Sequence, residues 1–148
     1  MILGIDISTS LTGFAVVGDE QLLHYSAVDL RKHSGVFEKA QVLRGYLEDL
    51  FENYQCDNEG GWGDSKFPIE QIYIEQPLHM FMRGKSSAKT LSTLMTFNVL
   101  KHLLEHEPAF HIEYTKHGNP SAGSYDKADA VVVAKAGYLI EQEKEESA

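Results

Sequence analysis

The sequence predicts an α/β domain in which a mixed central β-sheet of about five strands is flanked by helices. Short apolar runs separated by turn residues fill the first thirty positions, which is typical of consecutive strands. Later segments instead space their apolar residues three and four apart, as helices do. The predicted order is β-β-β-α-β-α-β-α, and 148 residues suit a single domain over 1–148.

The first half of the chain gives the clearest elements. Strands are predicted at 2–7, 13–17 and 22–30, and their short connections favour an antiparallel meander. The spacing of apolar residues over 35–54 predicts an amphipathic helix. The run 69–75, IEQIYIE, alternates and predicts a fourth strand. Because a long helix precedes it, we expect it to return parallel to an earlier strand.

The second half predicts two more helices and a short strand. A helix is expected from a serine cap at 86–87 toward Pro108, and FHIEYT at 110–115 is expected to be the fifth strand. A last helix is predicted from 125 to 139. The acidic tail at 141–148 is predicted to be solvated and frayed.

Composition narrows the class of protein. The chain has 13 basic and 22 acidic residues, which give a net charge of −9. This overall charge repels nucleic acid and attracts cations. Cys56 is the only cysteine, so an internal disulfide is excluded. Neither a membrane span nor a secretion signal is recognisable, and we expect a soluble cytoplasmic protein. His102 and His106 have the spacing of a zinc pair on a helix, but solvated surface histidines are the favoured interpretation.

Acidic residues interrupt the apolar pattern at three places. Asp6 ends the first strand, Glu75 ends the fourth, and Asp126 and Asp129 lie three apart near the start of the last helix. If the first and fourth strands are adjacent and parallel, these acids converge at one edge of the sheet. Convergent carboxylates repel one another, so their convergence predicts a magnesium site. The alternative is that each acid is solvated, or that the helical pair only favours the helix dipole.

The segments ILGIDISTSLTGFAVV, IYIEQP and DKADAVVVAKAG resemble, in this order, the three acidic motifs of RuvC-type Holliday junction resolvases, particularly the phage-encoded ones. The resemblance implies a ribonuclease H-like fold and a homodimer that acts on four-way DNA junctions in a bacterial or phage-infected cell. It also implies two Mg²⁺ ions per active site, or Mn²⁺, and nicks that leave 5′-phosphate and 3′-hydroxyl ends. The acids that it assigns as catalytic metal ligands are Asp6, Glu75, Asp126 and Asp129.

The resemblance also suggests where DNA is contacted. One group is the hydroxyl-rich turn Ser8, Thr9 and Ser10, for which local capping is the alternative role. The other is an apolar wedge with basic neighbours in PLHMFMRGKSSAK, although its phenylalanine equally suits a dimer interface. This second group consists of Phe81, Arg83, Lys85 and Lys89.

One departure from the family and two rival functions remain open. Glu75 and Asp126 are closer in sequence than the family's corresponding acids, and the apolar face of the helix changes near 98–99. Either 110–115 replaces a missing strand, or residues are absent near Asn98. The rival functions are a non-catalytic branched-DNA-binding module and an actin-like or sugar-kinase-like phosphotransferase. The latter needs two large lobes, which 148 residues do not provide.

Overall fold

The computed structural model describes residues 1–54, 69–75 and 98–147. Within these ranges the chain forms an α/β fold with a mixed four-stranded sheet and three helices. The strands are β1 (Ile2–Asp6), β2 (Leu11–Gly18), β3 (Gln21–Asp29) and β4 (Gln71–Ile74). The helices are α1 (Val36–Tyr54), α2, described over 98–106, and α3 (Ser124–Ser147).

The strand order in the sheet is β3-β2-β1-β4. The first three strands form the predicted antiparallel meander, and β4 pairs parallel with β1, as expected for a crossover. Asp19 and Glu20, which connect β2 to β3, both have positive φ, the backbone that a tight two-residue hairpin requires. It follows that β1, β3 and β4 all end at one side of the sheet. We call this side the carboxyl edge; Asp6, Asp29 and Ile74 lie there.

Each face of the sheet is covered by helices. Alternate residues of β1 and β2 pack against α1 on one face, where the core consists of Leu3, Ile5, Phe14, Val16 and Leu50. The other face packs against α2 and α3, through Ala15, Val17, Leu100, Leu103, Ala130, Val131 and Ala134. Because successive strand residues point to opposite faces, the position after Ile5 in β1 points toward α3.

Two glycines let α3 approach the sheet closely. A Cβ atom at Gly4 in β1 would overlap the backbone of Ala130 and Ala134. A Cβ atom at Gly13 in β2 would overlap the carbonyl of Asp126. The start of α3 is therefore held directly above the strands at the carboxyl edge.

The structure differs from the sequence prediction at two places. Residues 110–115 form no strand, because the chain turns back at Gly118 (φ 82°) and only Tyr114 makes an isolated bridge, with Pro120. The acidic tail, expected to be solvated and frayed, is helical through Ser147; residues 143–147 are exposed, whereas Glu141 and Gln142 are half-buried. Side-chain contacts hold this end, since Tyr73 Oη donates a hydrogen bond to Glu141 and Lys144 pairs with the same carboxylate at 3.3 Å.

The remaining sequence predictions for this part of the chain fall partly beyond the described ranges. The second helix is present over 98–106 and ends before Pro108, while its predicted start at 86–87 lies outside the described residues. No helix in the ranges that the structure describes is long and apolar enough to cross a membrane.

Candidate metal centre

Asp6 and Glu75 lie side by side at the carboxyl edge. Asp6 is the last residue of β1, and Glu75 follows β4 directly. The parallel register pairs Ile5 with Ile74, and the Glu75 N–H donates to the Ile5 carbonyl at 3.4 Å. The sheet therefore has the adjacent, parallel β1 and β4 strands that the convergence of Asp6 and Glu75 requires.

The first two turns of α3 bring Asp126 and Asp129 to the same place. Gly13 is the cross-strand partner of Asp6, and the Asp126 carbonyl lies against Gly13. The helix starts here because the Gly123 carbonyl accepts the Lys127 N–H at 2.9 Å. Asp126 is thus positioned over β2, next to the end of β1.

The four carboxyl groups act on one another electrostatically. Burial, reinforced by repulsion from Asp129, Asp126 and Glu75, raises the pKa of Asp6 to about 7. Burial, then repulsion from Glu75 and Asp126, raises the pKa of Asp129 to about 6. The pKa of Asp126 is also raised by burial, against a hydrogen bond from Asp6 that lowers it. The cluster therefore favours either a bound proton or a bound cation.

Asp6, Asp126 and Asp129 are half-buried acids without a basic partner, whereas Glu107 and Glu141, the other half-buried acids in the described ranges, each have one. The ion pairs in these ranges are Asp29–Arg31, Glu38–His33, Glu48–Arg44, Glu107–Lys135 and Glu141–Lys144. Among the described residues, no Lys, Arg or His lies within ion-pair distance of Asp6, Glu75, Asp126 or Asp129. Their charge is left uncompensated although Asp6, Asp126 and Asp129 are half-buried.

The chemistry of this donor set suits a hard divalent cation. All donors are carboxylate oxygens, which Mg²⁺ and Mn²⁺ prefer, and neither a thiol nor an imidazole is among them. Across 1–54, 69–75 and 98–147, no three His, Cys, Asp or Glu side chains stand close enough together to hold a metal ion. A cation bound here would therefore have to draw these carboxylate oxygens closer together.

The turn after Asp6 is held by its own hydroxyls. Thr12 Oγ1 donates to the Ser8 carbonyl at 2.8 Å and accepts the Ser8 N–H at 3.2 Å, while Ser8 Oγ accepts the Ser10 N–H at 3.2 Å. Lys39 Nζ donates to the Thr9 carbonyl at 2.7 Å. Local capping, the alternative role, is therefore what Ser8 performs, and a phosphate contact by this turn stays a prediction.

Some residues around the carboxyl edge were not singled out from the sequence. Gly13 lets α3 approach, and Thr12 and Lys39 hold the turn after Asp6. A glycine inside a strand was the one available signal, since it often marks close approach of another backbone. The predicted wedge and its basic neighbours, Phe81, Arg83, Lys85 and Lys89, lie outside the described residues.

His102 and His106 form no second metal centre. Their rings stack with centroids 4.3 Å apart, and His106 Nδ1 lies 3.0 Å from the His102 carbonyl oxygen. Both residues are exposed, and no third ligand group accompanies them in the described part of the chain.

Comparisons of the chain with models of known protein families, with curated proteins and with solved structures found no match.

Proposed function

We propose that this protein is a metal-dependent, structure-selective endonuclease that hydrolyses phosphodiester bonds in branched DNA such as Holliday junctions. The observation that carries this proposal is the unpaired carboxylate cluster at the carboxyl edge. Half-buried acids without a basic partner are costly unless a cation is bound there during function.

The fold supports assignment to the ribonuclease H-like superfamily and its RuvC-type branch. The meander, the parallel β1–β4 pair and the helices on both faces are what the sequence resemblance implies. The positions of the acids support this assignment: Asp6 ends β1, Glu75 directly follows β4, and Asp126 and Asp129 lie in the first two turns of α3. Three motifs that lie far apart in the chain thus agree with the same proposed family.

The acids divide their roles by position. Asp6 is coupled to each of the other three and is the central ligand of the proposed centre. Glu75 extends the centre on the β4 side, and Asp126 and Asp129 extend it on the α3 side. When bound, two divalent ions would activate the attacking water and neutralise charge on the leaving oxygen. The carboxylates would hold and orient these ions at the scissile phosphate.

A synthetic four-way junction tests the proposal. We expect symmetric nicking in Mg²⁺ or Mn²⁺, and much weaker cleavage of a linear duplex of the same sequence. Asp6→Asn and Asp129→Asn should each slow nicking by at least about 100-fold, because each removes a charge from the centre. Asp49→Asn, an exposed acid on α1, is the matched control and should cleave normally.

One result would contradict the nuclease assignment, and another would contradict the role of Asp6 in it. Junction binding without nicking would favour the non-catalytic branched-DNA-binding module. Cleavage that survives Asp6→Asn would remove Asp6 from the metal centre. Because symmetric nicking requires two sites on a two-fold junction, we also propose a homodimer in the bacterial or infected cytoplasm, and sedimentation should give twice the chain mass.

A further inference from the structure

We infer that the start of α1 contacts the DNA strand beside the metal centre, with Phe37 stacking on an unpaired base and Lys39 facing the phosphate backbone. We call residues 31–39, RKHSGVFEK, the α1 start. This inference rests on the proposed nuclease function and names how the branched substrate is held.

The sheet topology places the α1 start at the carboxyl edge. Because β3 runs in the same direction as β1, the chain leaves β3 at this edge and enters α1 there. The Leu30 N–H donates to the Ser10 carbonyl at 2.8 Å, and Lys39 reaches the Thr9 carbonyl. Thr9 is three residues beyond Asp6, a span of at most about 11 Å. A strand bound at the acids would therefore pass the α1 start within a few nucleotides.

Phe37 is the most exposed large hydrophobic side chain among the described residues. Its exposed fraction is 87%, and that of its neighbour Val36 is 73%. The later apolar residues of α1, such as Leu43 and Leu47, pack on the sheet. Covering an exposed phenyl ring with a flat apolar surface lowers the free energy, and a nucleobase offers such a surface.

The turn that presents Phe37 is held by hydrogen bonds. The Glu38 carboxylate accepts the Ser34 N–H at 3.0 Å and the Ser34 hydroxyl at 3.2 Å, and lies 3.1 Å from His33 Nδ1. Gly35 has a φ of 84°, which suits glycine at this point before the helix. The ring is thus presented from a braced turn, which lowers the entropy lost on binding.

Charge in the α1 start complements a phosphate backbone. Its carboxylate, Glu38, is engaged by His33 and Ser34, and Arg31 forms two hydrogen bonds with Asp29, at 2.7 and 2.9 Å. Lys39 Nζ donates to a neutral carbonyl rather than to a carboxylate. Lys32 and Lys39 belong to no ion pair within the described part of the chain. In a protein of net charge −9, aromatic and basic residues together here favour a nucleic-acid strand.

Binding measurements on a four-way junction test this contact. The experiment uses the full chain in an Asp6→Asn background, so that DNA is not cut, with 2-aminopurine at the branch. Phe37→Ala should weaken binding by about 5- to 150-fold, the loss that corresponds to one stacked base. Phe37→Trp should retain the affinity, whereas Phe37→Leu should not. In the Asp6→Asn parent, but not with Phe37→Ala, 2-aminopurine emission should change on binding.

Leu139→Ala is the matched control, because Leu139 is also exposed but lies in the second half of α3. If Phe37→Ala binds as tightly as Leu139→Ala, the inference is wrong. It is also wrong if Phe37→Ala only dissociates a dimer in sedimentation, which would make Phe37 a contact between copies. If the wild-type protein nicks junctions but Phe37 is dispensable, the nuclease assignment still holds. Wild type that neither binds nor nicks overturns both.

Discussion

Asp6 and Asp29 end two strands at the same edge but have opposite environments. Asp29 is exposed and is held by Arg31, which keeps the pKa of its carboxyl below the usual range. Asp6 is half-buried, and burial together with three neighbouring acids raises its pKa to about 7. The same residue type is thus an ordinary surface ion at position 29 and a group that needs a cation or a proton at position 6.

Asp6→Asn is expected to stabilise the magnesium-free protein at pH 8. The folded-state pKa of Asp6 is raised from 3.8 to about 7, so its contribution to stability is complete below pH 4 and is lost as the pH rises through 7. Wild type in EDTA should therefore unfold more easily than the variant at pH 8, and the difference should shrink as the pH falls and vanish below about pH 4. Since Asp6 is partly exposed, we expect a difference of about 1 kcal/mol, or about 2–5 °C in Tm.

Magnesium should reverse this order. Addition of Mg²⁺ at pH 8 should raise the Tm of wild type in proportion to the logarithm of its concentration, and should leave Asp6→Asn unchanged. Asp49→Asn controls for the loss of one charge at a surface position. A variant that is less stable than wild type in EDTA, or that still responds to Mg²⁺, would contradict the role given to Asp6.

At the scale of elements, close approach of α3 to the sheet positions Asp126 and Asp129 in the proposed metal centre. Gly13→Ala would place a methyl group where the Asp126 carbonyl lies, so α3 must shift. We expect a loss of about 1–3 kcal/mol in the free energy of unfolding, together with a weaker Mg²⁺-induced rise in Tm. Urea unfolding and thermal melts measure the two effects.

Gly45→Ala is the matched control for this substitution. Gly45 is an exposed residue within α1, and a Cβ atom there would meet only open space. Alanine should therefore stabilise the protein by about 0.5–1 kcal/mol through helix propensity. If both glycine variants change stability in the same direction, the proposed contact between Gly13 and α3 is wrong.

In the whole molecule, the sheet lies between two hydrophobic cores, and its strands contribute side chains to both. The strand β2 contributes Phe14 and Val16 to the α1 face and Ala15 and Val17 to the α3 face. Loss of packing on either face should therefore unfold the sheet and disperse the acids at its carboxyl edge. A domain of this size is expected to unfold in a single cooperative transition.

Leu50→Ala tests whether the two faces of the sheet unfold together, because Leu50 lies on the face opposite the proposed metal centre. Leu50 is buried against β1 and β2, and its truncation should cost about 2–5 kcal/mol. Circular dichroism and Mg²⁺ binding should be lost with the same midpoint in urea. Leu139→Ala, on the exposed surface of α3, should change stability by less than about 0.5 kcal/mol. Two separate midpoints for Leu50→Ala would show that the faces unfold independently.

Elements with a local signal can be predicted from the order of residues alone. Alternation defined β1 to β4 within a few residues, and three-four spacing defined α1 and the start of α3. The break in apolar pattern at Asp6 and Glu75 singled out the acids, because a charge at the end of a buried strand is unexpected on burial energetics alone.

Contacts between segments that are far apart in the chain are seen only in the folded structure. It joined Asp126 to Gly13, Lys39 to Thr9 and Tyr73 to Glu141, and it left Phe37 exposed at the carboxyl edge. It also folded residues 110–115 back as a loop and kept the acidic tail helical. Periodicity reports the conformation that a segment prefers, whereas contacts across the chain depend on the shape and chemistry of the partner surface.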